Sequence, residues 1–518
     1  MTRPGWNDDT LWQHFTAHAA ADPQALAVVD REGSRRHSRG QLLADSVAFA
    51  TALERDGLVP GDVLSVQLPN RYETAVVALA ALRLGLVINT LLPNYREREL
   101  DHIFSTATPR AVVTPAVHRR FDHRPMIDSL QGGGAGRFSH VVVDGDEFLD
   151  QLRADPQDAS AITAPEPGAS AWSELIFSSG TESTPKGVLH SEQTTNAGVR
   201  SFREFLGLDD DAVVWMPSPV GHSTGFNFGL RFALFHGFPL ILQDEWDPAI
   251  AISLVRRFGA SYTLAATTFL QDLVRVLGDR NEQLPELTSF ACGGAAVPPE
   301  LVTAARRRGI GVQRLYGSTE ALVVSCNRPD RPEAARLHTD GVALPGVAIR
   351  IRGDDGELLE PGAPGEIEVQ SPQNALGYYD DPERTAATFL DDNWVRSGDL
   401  GVLDDDGSLS IVGRKKEIII RGGLNIAPRE IEEMLLDFAE VERCAVVGLA
   451  DPRLGERMAA FVTLVDGAQL TLATAVERLR EKGLATYKLP ELLEVLDELP
   501  ATASGKIQKH RLRRDFDA

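Results

Sequence analysis

The chain has 518 residues, of which 43% are hydrophobic and 24% are charged, a composition typical of a folded protein with material for two or more domains. Its 74 acidic residues outnumber its 52 basic ones and give a net charge of −22, which disfavours a nucleic-acid partner because the phosphate backbone is also negative. The three cysteines lack a C-x-x-C spacing, which argues against a disulfide framework or zinc site, and the N-terminus has no basic segment leading into an apolar one, which predicts a cytoplasmic protein.

Short β-branched runs alternate with longer helical patterns through the first 340 residues. Strands are predicted at residues 63–66 and 111–113 with a helix at 74–84 between them. A strand at 239–242 and a helix at 249–258 continue the pattern. This alternation indicates an α/β architecture with largely parallel sheets.

The longest apolar run, residues 74–92, is interrupted by Arg83 and contains Gly85 and Asn89. These residues favour a buried helix followed by a strand over a membrane span, so no stable membrane insertion is expected.

A small, hydroxyl-rich loop with one lysine follows the apolar run at residues 175–177. Backbone N–H groups, hydroxyls and an ammonium group suit a nucleotide polyphosphate. The Walker A pattern does not fit, since counting from Gly180 places Pro185 and Gly187 where a glycine and a serine or threonine are required. Composition alone leaves an ordinary solvated turn open. The residues predicted to bind phosphate are Ser178, Ser179, Gly180, Thr181, Glu182, Ser183 and Lys186.

The pattern of the chain changes after residue 340, where short strands separated by Asp/Gly turns indicate a β-rich subdomain. A further α+β segment follows a polar stretch that is a candidate hinge. The predicted fold class is therefore α/β, with a large N-terminal domain of parallel-sheet subdomains plus a β-rich subdomain, and a small mobile α+β C-terminal domain. The predicted boundaries are 1–413 for the first domain, 414–416 for the hinge and 417–518 for the C-terminal domain.

Six further short segments follow the loop in a fixed order. In sequence letters they are GHSTG at 221–225, GGA at 293–295, YGSTE at 316–320, RSGDL at 396–400, GRKK at 413–416 and SGK at 504–506. With this set the chain resembles the adenylate-forming superfamily of acyl-CoA synthetases, adenylation domains and luciferases, over almost its whole length. Within that superfamily it is most similar to cyclohexanecarboxylate-type alicyclic acyl-CoA ligases, which suggests an actinobacterial natural-product acyl-CoA ligase.

The resemblance implies a reaction in two steps. A carboxylate attacks the α-phosphorus of ATP to give an acyl-AMP and pyrophosphate, and a thiol then displaces AMP. The implied cofactors are ATP, Mg²⁺ and coenzyme A. The implied partners are a small carboxylic acid or its acyl-AMP, and either CoA or a carrier protein, because both present the same thiol arm. The oligomeric state is left open.

The resemblance also implies residue roles. Lys506 would bridge the carboxylate and the α-phosphate, Thr319 would bond that phosphate, and Glu320 would hold Mg²⁺. Asp399 would accept from both ribose hydroxyls, and Arg414 would add a charged contact. The catalytic set is completed by His222, and the other nucleotide-binding residues are Gly293, Gly294, Ala295, Tyr316, Gly317 and Ser318.

Domain rotation is part of the same implication. Lys416 would be the pivot of the C-terminal domain, whose rotation withdraws Lys506 and brings Gly422 and Gly423 up to line the pantetheine channel. Two glycines leave room for a thin chain to pass the backbone.

The segment around His222 bears on the acid substrate. An amino-acid substrate would require an Asp there to pair with its ammonium group, and none is present. The neighbouring pocket candidates are apolar or small, which favours a bulky, mostly hydrocarbon acid, ring or terpenoid-like, with His222 at its carboxylate end. These candidates are Phe226, Gly229, Leu322 and Val323.

Two segments depart from the family pattern. Family loops commonly read Thr-Thr-Gly where this chain has Thr181-Glu182-Ser183, and a basic residue commonly stands where this chain has Ala501. A carboxylate about 5 Å from a phosphate charge costs about 3 kcal/mol at an effective dielectric constant of about 20, enough to slow adenylation about a hundredfold. Alternatively, Glu182 points to solvent or helps to hold Mg²⁺.

Three hypotheses follow: a complete acyl-CoA ligase, a ligase impaired in adenylation that transfers a preformed acyl-AMP, and a non-enzymatic nucleotide- or acyl-binding relative.

Overall fold

The computed structural model of the chain describes residues 5–132, 138–143, 145–154, 162–178, 185–294, 297–421, 424–502 and 507–516. Its strands, in chain order, are β1 (Leu26–Asp30), β2 (Arg35–Ser38), β3 (Val63–Val66), β4 (Val87–Thr90), β5 (Ala111–Thr114), β6 (Val117–His118), β7 (Phe121–Asp122), β8 (Ser139–Val142), β9 (Trp172–Ser178), β10 (Lys186–Ser191), β11 (Val214–Met216), β12 (Leu240–Leu242), β13 (Tyr262–Ala265), β14 (Ser289–Cys292), β15 (Val312–Ser318), β16 (Leu322–Cys326), β17 (Val342–Ala343), β18 (Ala348–Arg352), β19 (Gly365–Gln370), β20 (Gly377–Tyr378), β21 (Trp394–Leu403), β22 (Leu409–Arg414), β23 (Ile419–Arg421), β24 (Leu424–Ile426), β25 (Val441–Asp451), β26 (Gly455–Leu464) and β27 (Leu492–Val495).

The α-helices are α1 (Leu11–Ala21), α2 (Arg39–Arg55), α3 (Tyr72–Arg83), α4 (Glu97–Ala107), α5 (Arg124–Gly132), α6 (Gly145–Ala154), α7 (Glu192–Leu206), α8 (Ser223–Gly225), α9 (Phe232–His236), α10 (Pro248–Phe258), α11 (Thr267–Asp279), α12 (Pro299–Arg307), α13 (Glu333–His338), α14 (Pro382–Thr388), α15 (Pro428–Leu436), α16 (Leu472–Glu481) and α17 (Lys509–Phe516). A π-helix at Phe226–Arg231 joins α8 to α9, and 3₁₀ turns occur at Arg31–Gly33, Asp391–Asn393, Lys415–Glu417 and Thr486–Lys488.

Two large sheets form the first part of the described chain. One has the strand order β20-β10-β9-β4-β3-β5-β8, with parallel pairing from β9 to β8. The other has the order β17-β16-β15-β14-β13-β11-β12-β1-β2, with parallel pairing from β15 to β1. Antiparallel strands form one end of the first sheet, at β10 and β20, and both ends of the second sheet. The predicted α/β class with largely parallel sheets is confirmed.

Helix α3 shows why this sequence makes a two-sheet core. It is buried along its whole length, as expected of a helix that is apolar on all sides. It belongs to one hydrophobic cluster that includes Leu64 and Ile88 from one sheet and Leu240 and Leu264 from the other. With β4 directly after it, the prediction of a buried helix followed by a strand is confirmed. None of the described helices has both the length and the apolar character needed to cross a membrane.

Local signals set the ends of the helices. In α10, the side chain of Asp247 accepts from the backbone N–H groups of Ala249 and Ile250, and Pro248 occupies the first turn. The helix ends at Gly259, whose φ of +63° places it in the left-handed region that favours glycine.

The remaining elements form two smaller sheets. Strands β18, β19, β21 and β22 make an antiparallel sheet, which confirms the β-rich subdomain. The last sheet has the order β24-β23-β26-β25, with β27 parallel to β26. Helices α15 and α16 cover one face of this sheet, and α17 covers the other. Sheet membership changes between Arg414, which ends β22, and Ile419, which begins β23.

A buried ionic cluster joins β9, α7 and the π-helix between the two large sheets. The guanidinium of Arg231, fully buried, lies 3.6 Å from Glu174 Oε2 and 3.7 Å from Glu192 Oε2. Asn227 Nδ2 donates to Glu174 Oε1 at 2.6 Å, and Arg231 Nε donates to Asn227 Oδ1 at 3.1 Å. Burial raises the pKa of Glu174 to about 7 against the opposing effect of Arg231. The cluster therefore holds two carboxyl groups on one cation, and burial raises the pKa of both Glu174 and Glu192 above the ordinary value.

Replacing Glu174 by Gln keeps the shape of the side chain and removes its titration. The folded-state pKa is about 7 and the ordinary value is 4.5. The contribution of Glu174 to stability is therefore full below its unfolded-state pKa and is lost as pH rises through its folded-state pKa. Between about pH 5 and about pH 8 we expect the Tm of the wild type to fall relative to that of E174Q, by the equivalent of about 3 kcal/mol.

Differential scanning calorimetry across this pH range tests the prediction. The matched control is Glu360→Gln at an exposed position, whose profile should run parallel to that of the wild type. A parallel profile for E174Q as well would show that Glu174 does not titrate in this window.

Candidate active site

The predicted phosphate loop connects the two strands of a hairpin. Ser178 ends β9 and Lys186 begins the antiparallel β10, and these two residues pair across the ladder. The predicted loop residues Ser179, Gly180, Thr181, Glu182 and Ser183 lie outside the described residues. The two ends of the loop are thus held side by side, with Lys186 at one of them.

The segment from Tyr316 to Glu320 forms the end of β15 and the turn into β16. Only glycine fits at position 317, because a Cβ atom there would lie 2.2 Å from the carbonyl oxygen of Leu322. The buried His190 donates from Nε2 to the carbonyl of Thr319 at 2.8 Å, and the N–H of Ala375 donates to the carbonyl of Glu320 at 2.8 Å. The turn that presents Thr319 and Glu320 is therefore held from two sides.

Asp399 connects this turn to the β-rich subdomain. Tyr316 donates its hydroxyl proton to Asp399 Oδ2 at 2.7 Å, and Arg414 Nε lies 3.2 Å from Asp399 Oδ1. Burial, and then the carboxylate of Asp399, raise the pKa of Tyr316 well above its ordinary value, so the phenol keeps its proton and donates. Asp399 and Arg414 face each other because β21 and β22 pair in that register.

Glu320 and Lys186 lie on either side of Tyr378. The hydroxyl of Tyr378 donates to Glu320 Oε1 at 3.0 Å, and Lys186 Nζ lies 5.4 Å from the centre of the Tyr378 ring. Burial lowers the pKa of Lys186, and the nearby Glu320 carboxylate opposes that effect. The arrangement places the Lys186 ammonium and the Glu320 carboxylate near each other, at the end of the β9–β10 hairpin where the predicted loop lies.

The donor set at Glu320 fits a magnesium ion. Among the described residues no group of three or more His, Cys, Asp and Glu side chains is placed to hold a metal. Mg²⁺ binds through one or two carboxylates and takes its other ligands from substrate phosphates and water, so the single carboxylate of Glu320, near Lys186 at the end of the predicted phosphate loop, suits it.

The residues predicted to bind the acid lie in two segments. His222 caps α8, with its Nδ1 accepting from the N–H of Thr224 at 3.3 Å. Phe226 and Gly229 lie in the π-helix, a rare conformation often found at functional sites. Leu322 and Val323 begin β16, and Phe226, Leu322 and Val323 are buried in the cluster between the two large sheets.

The remaining predicted residues are divided between described and undescribed parts of the chain. Gly293 and Gly294 follow β14, and Gly294 has a φ of +81°. Lys416 lies in the 3₁₀ turn between β22 and β23. Ala295, Gly422, Gly423 and Lys506 lie outside the described residues.

Three residues that support the site were not predicted from the sequence: His190, Gln373 and Tyr378. The side-chain Nε2 of Gln373 donates to the carbonyls of Ala321 and Val323. None of them lies in a motif segment. The one available signal was the two-residue period of β10, which places His190 on the same face as Lys186.

Two family models match this chain. The AMP-binding enzyme model matches residues 15–379, and the AMP-binding enzyme C-terminal domain model matches residues 430–506.

Individual relatives match over nearly the full length. The chain is 35% identical to the medium-chain fatty-acid–CoA ligase of Escherichia coli, over 99% of this chain and 91% of the relative. It is 32% identical to the 2-hydroxy-7-methoxy-5-methyl-1-naphthoate–CoA ligase of Streptomyces carzinostaticus, over 98% and 93%. The ATP-bound structure of MatB from Rhodopseudomonas palustris superposes with a TM-score of 0.88 at 27% identity, over 98% of this chain and 99% of that one.

Replacing Asp399 by Asn tests the predicted nucleotide site. The change removes the negative charge and replaces one acceptor oxygen by an NH₂ donor, while the volume of the side chain stays nearly constant. Because a hydrogen bond to a charged group contributes about 1.5–3 kcal/mol, we expect MgATP affinity to fall about 10- to 100-fold in isothermal titration calorimetry. Asp466→Asn, at an exposed position, is the control and should bind MgATP like the wild type. Unchanged affinity in D399N would remove Asp399 from the nucleotide site.

Proposed function

Since this chain belongs to the AMP-binding enzyme family and is an AMP-forming acyl-CoA ligase, we propose that it activates a bulky, mostly hydrocarbon carboxylic acid. Enzymes of this kind use ATP, Mg²⁺ and coenzyme A. The observation that carries the acid assignment is the burial of the apolar side chains of Phe226, Leu322 and Val323 in one cluster, with Glu320 two residues before Leu322 in the chain.

In the first step an oxygen of the acid forms a bond to the α-phosphorus of ATP, and the bond to the bridging oxygen breaks, so that pyrophosphate leaves with the electron pair. This step gathers negative charge, which requires cations and hydrogen-bond donors around the phosphates. We assign Lys186 to the phosphates, Thr319 to the α-phosphate and Lys506 to the α-phosphate and the acid. Mg²⁺ held by Glu320 would supply further neutralisation of phosphate charge.

In this proposal the nucleotide is oriented through the hydrogen bonds of its ribose. Asp399, already fixed by Tyr316 and Arg414, accepts from the ribose hydroxyls. Its carboxylate suits that task because it has about four acceptor positions and the hydroxyls are donors.

In the second step the thiol of CoA gives up its proton to solvent and its sulfur attacks the acyl carbon, and AMP leaves with the electron pair of the broken acyl–oxygen bond. We assign Lys416 as the pivot between the two steps, Gly422 and Gly423 to the pantetheine channel, and His222 to the carboxylate end of the acid. The domain boundaries 1–413, 414–416 and 417–518 belong to the same proposal.

The charge balance of the acid-binding segment supports an apolar acid. Arg231 is a cation within the π-helix, but it is fully buried between Glu174 and Glu192. It is therefore not available to pair with a second carboxylate of a dicarboxylic acid. Burial of hydrocarbon, at roughly 25 cal/mol per Å², is then the main source of affinity for the acid body.

Within the family we propose the subgroup of ring-acid ligases, of the cyclohexanecarboxylate or terpenoid type, in actinobacterial natural-product biosynthesis. The names of the two ligases compared above describe a fatty acid and a naphthoate, and both are carboxylic acids with large hydrocarbon parts. The thiol acceptor is proposed to be CoA, with a carrier protein as the alternative.

Glu182, Ser183 and Ala501 favour a second candidate function. The Glu182 carboxylate beside the phosphates would weaken adenylation, and so would the lack of a basic residue directly after Pro500. In that case the protein would mainly transfer a preformed acyl-AMP to CoA.

A panel of acids separates these functions. Cyclohexanecarboxylate, 2-naphthoate, octanoate, acetate and succinate are each supplied as free acid with MgATP and as preformed acyl-AMP, and the CoA ester is followed by mass spectrometry. We expect the ring acids to give kcat/KM values at least about tenfold above those of acetate and succinate, because binding of the acid depends on hydrocarbon area.

Each alternative has its own outcome. Turnover of acyl-AMP without turnover of free acid would establish the adenylation-impaired enzyme. A preference for succinate would contradict the apolar acid, and a preference for octanoate would replace the ring acid by a chain acid. Transfer to a phosphopantetheine-bearing carrier protein but not to CoA would change the acceptor.

A further inference from the structure

A buried lysine lies close in sequence to Lys506. Lys509 is the first residue of α17, and its Nζ lies 2.8 Å from Glu417 Oε2 and 2.8 Å from Glu432 Oε1. The side chain is 17% exposed. Burial lowers the pKa of Lys509, but the carboxylates of Glu432 and Glu417 raise it more, so the group stays charged.

The two carboxylates belong to different elements of the C-terminal domain. Glu417 ends the 3₁₀ turn that contains Lys416. Glu432 lies in α15, and its Oε1 also accepts from the N–H of Val446 in β25 at 2.7 Å. One ammonium group therefore joins the turn at the pivot, a helix and the central sheet of the domain.

The chain on either side of Lys506 is anchored at its base. Residues 503–506 lie outside the described residues, but Ala501 pairs with Ile507 and the N–H of Gln508 donates to the carbonyl of Pro500 at 2.7 Å. Leu499 and Leu512 are buried in the hydrophobic cluster under the sheet. The ion pair of Lys509 with Glu417 also connects this part of the chain to the turn that contains Lys416.

We propose that Lys509 is a positioning residue for adenylation, because its two ion pairs fix the base of the segment carrying Lys506 relative to the turn that contains Lys416. The inference rests on the proposed function, in which Lys506 contacts the acid and the α-phosphate. Lys509 itself contacts neither.

Loss of the ammonium would remove the cation that Glu417 and Glu432 share, and their two negative charges would then repel each other. Glu417 also lies close enough to Arg414 for its charge to raise the pKa of that guanidinium. A released Glu417 would be repelled by Glu432 and attracted towards Arg414, which would shift the pivot turn relative to α17. A displacement of about 1 Å at a reacting group costs about 100-fold in rate.

The test compares Lys509→Met with Lys509→Arg and Lys488→Met. Lys488 is the matched control, because its Nζ also pairs with an α15 carboxylate, Glu430 at 2.6 Å, and its side chain is 22% exposed. In K509M we expect single-turnover acyl-AMP formation to fall about 10- to 100-fold, while CoA-ester formation from preformed acyl-AMP stays within about threefold of the wild type. K509R should recover most of the loss, and K488M should change neither step.

An equal loss in both half-reactions of K509M would indicate general damage to the domain and overturn the proposal, as would full adenylation. Hydrogen–deuterium exchange of the peptide spanning residues 498–512 gives a readout that needs no substrate. Faster exchange in K509M than in K488M supports the positioning role, and equal exchange rejects it. An inactive wild type would reject the proposed function, whereas equal exchange would reject only this inference.

Discussion

The arrangement of the molecule depends on one buried cation, Arg231, between the carboxylates of Glu174 and Glu192. An ion removed from water must be paired, so the three elements that carry these side chains cannot move apart without a large cost. Those elements are β9, which leads into the predicted phosphate loop, α7, which follows the hairpin, and the π-helix of the acid-binding segment. Asn227 extends the connection to Ser223, the residue after His222, at 3.4 Å. The strand that leads into the predicted phosphate loop and the predicted acid-binding segment are thereby held together.

A second fixed centre lies at Asp399, a predicted nucleotide-binding residue, where the hydroxyl of Tyr316 and the guanidinium of Arg414 meet a buried carboxylate. The carboxyl groups of both centres, Glu174, Glu192 and Asp399, belong to the larger, N-terminal part of the chain, whereas the proposed acyl-phosphate lysine comes from the C-terminal part. Because of this division, the ion pairs of Lys509 are expected to affect the position of Lys506. They connect the lysine segment to the turn at Lys416, on the other side of which stands Arg414. A rigid nucleotide site and a movable lysine are what two successive reactions at one site require.

Local patterns were sufficient for the secondary structure and for the order of the motifs. Apolar residues on all sides of α3 predicted its burial, and the alternation of strands and helices predicted parallel sheets. The supports of the site were not predictable in this way, because His190, Tyr378 and Gln373 act through partners that lie at least 50 residues away in the sequence. Nothing in the residues around Glu174 indicates that Arg231 is its partner, since only the packing of the two sheets brings them together. The roles of all the predicted site residues remain predictions. Ser179 to Ser183, Ala295, Gly422, Gly423 and Lys506 also lie outside the described residues.

The central claim is that one protein performs both half-reactions on a bulky apolar acid. Acid-dependent exchange of labelled pyrophosphate into ATP tests it most directly, because exchange requires reversible formation of the acyl-AMP on the enzyme and no thiol. We expect a ring acid to support exchange of pyrophosphate into ATP at a rate at least equal to the rate of CoA-ester formation with the same acid. Absence of acid-dependent exchange, while preformed acyl-AMP is still converted to the CoA ester, would contradict it and would identify the phosphate loop at Glu182 as the cause to be tested next.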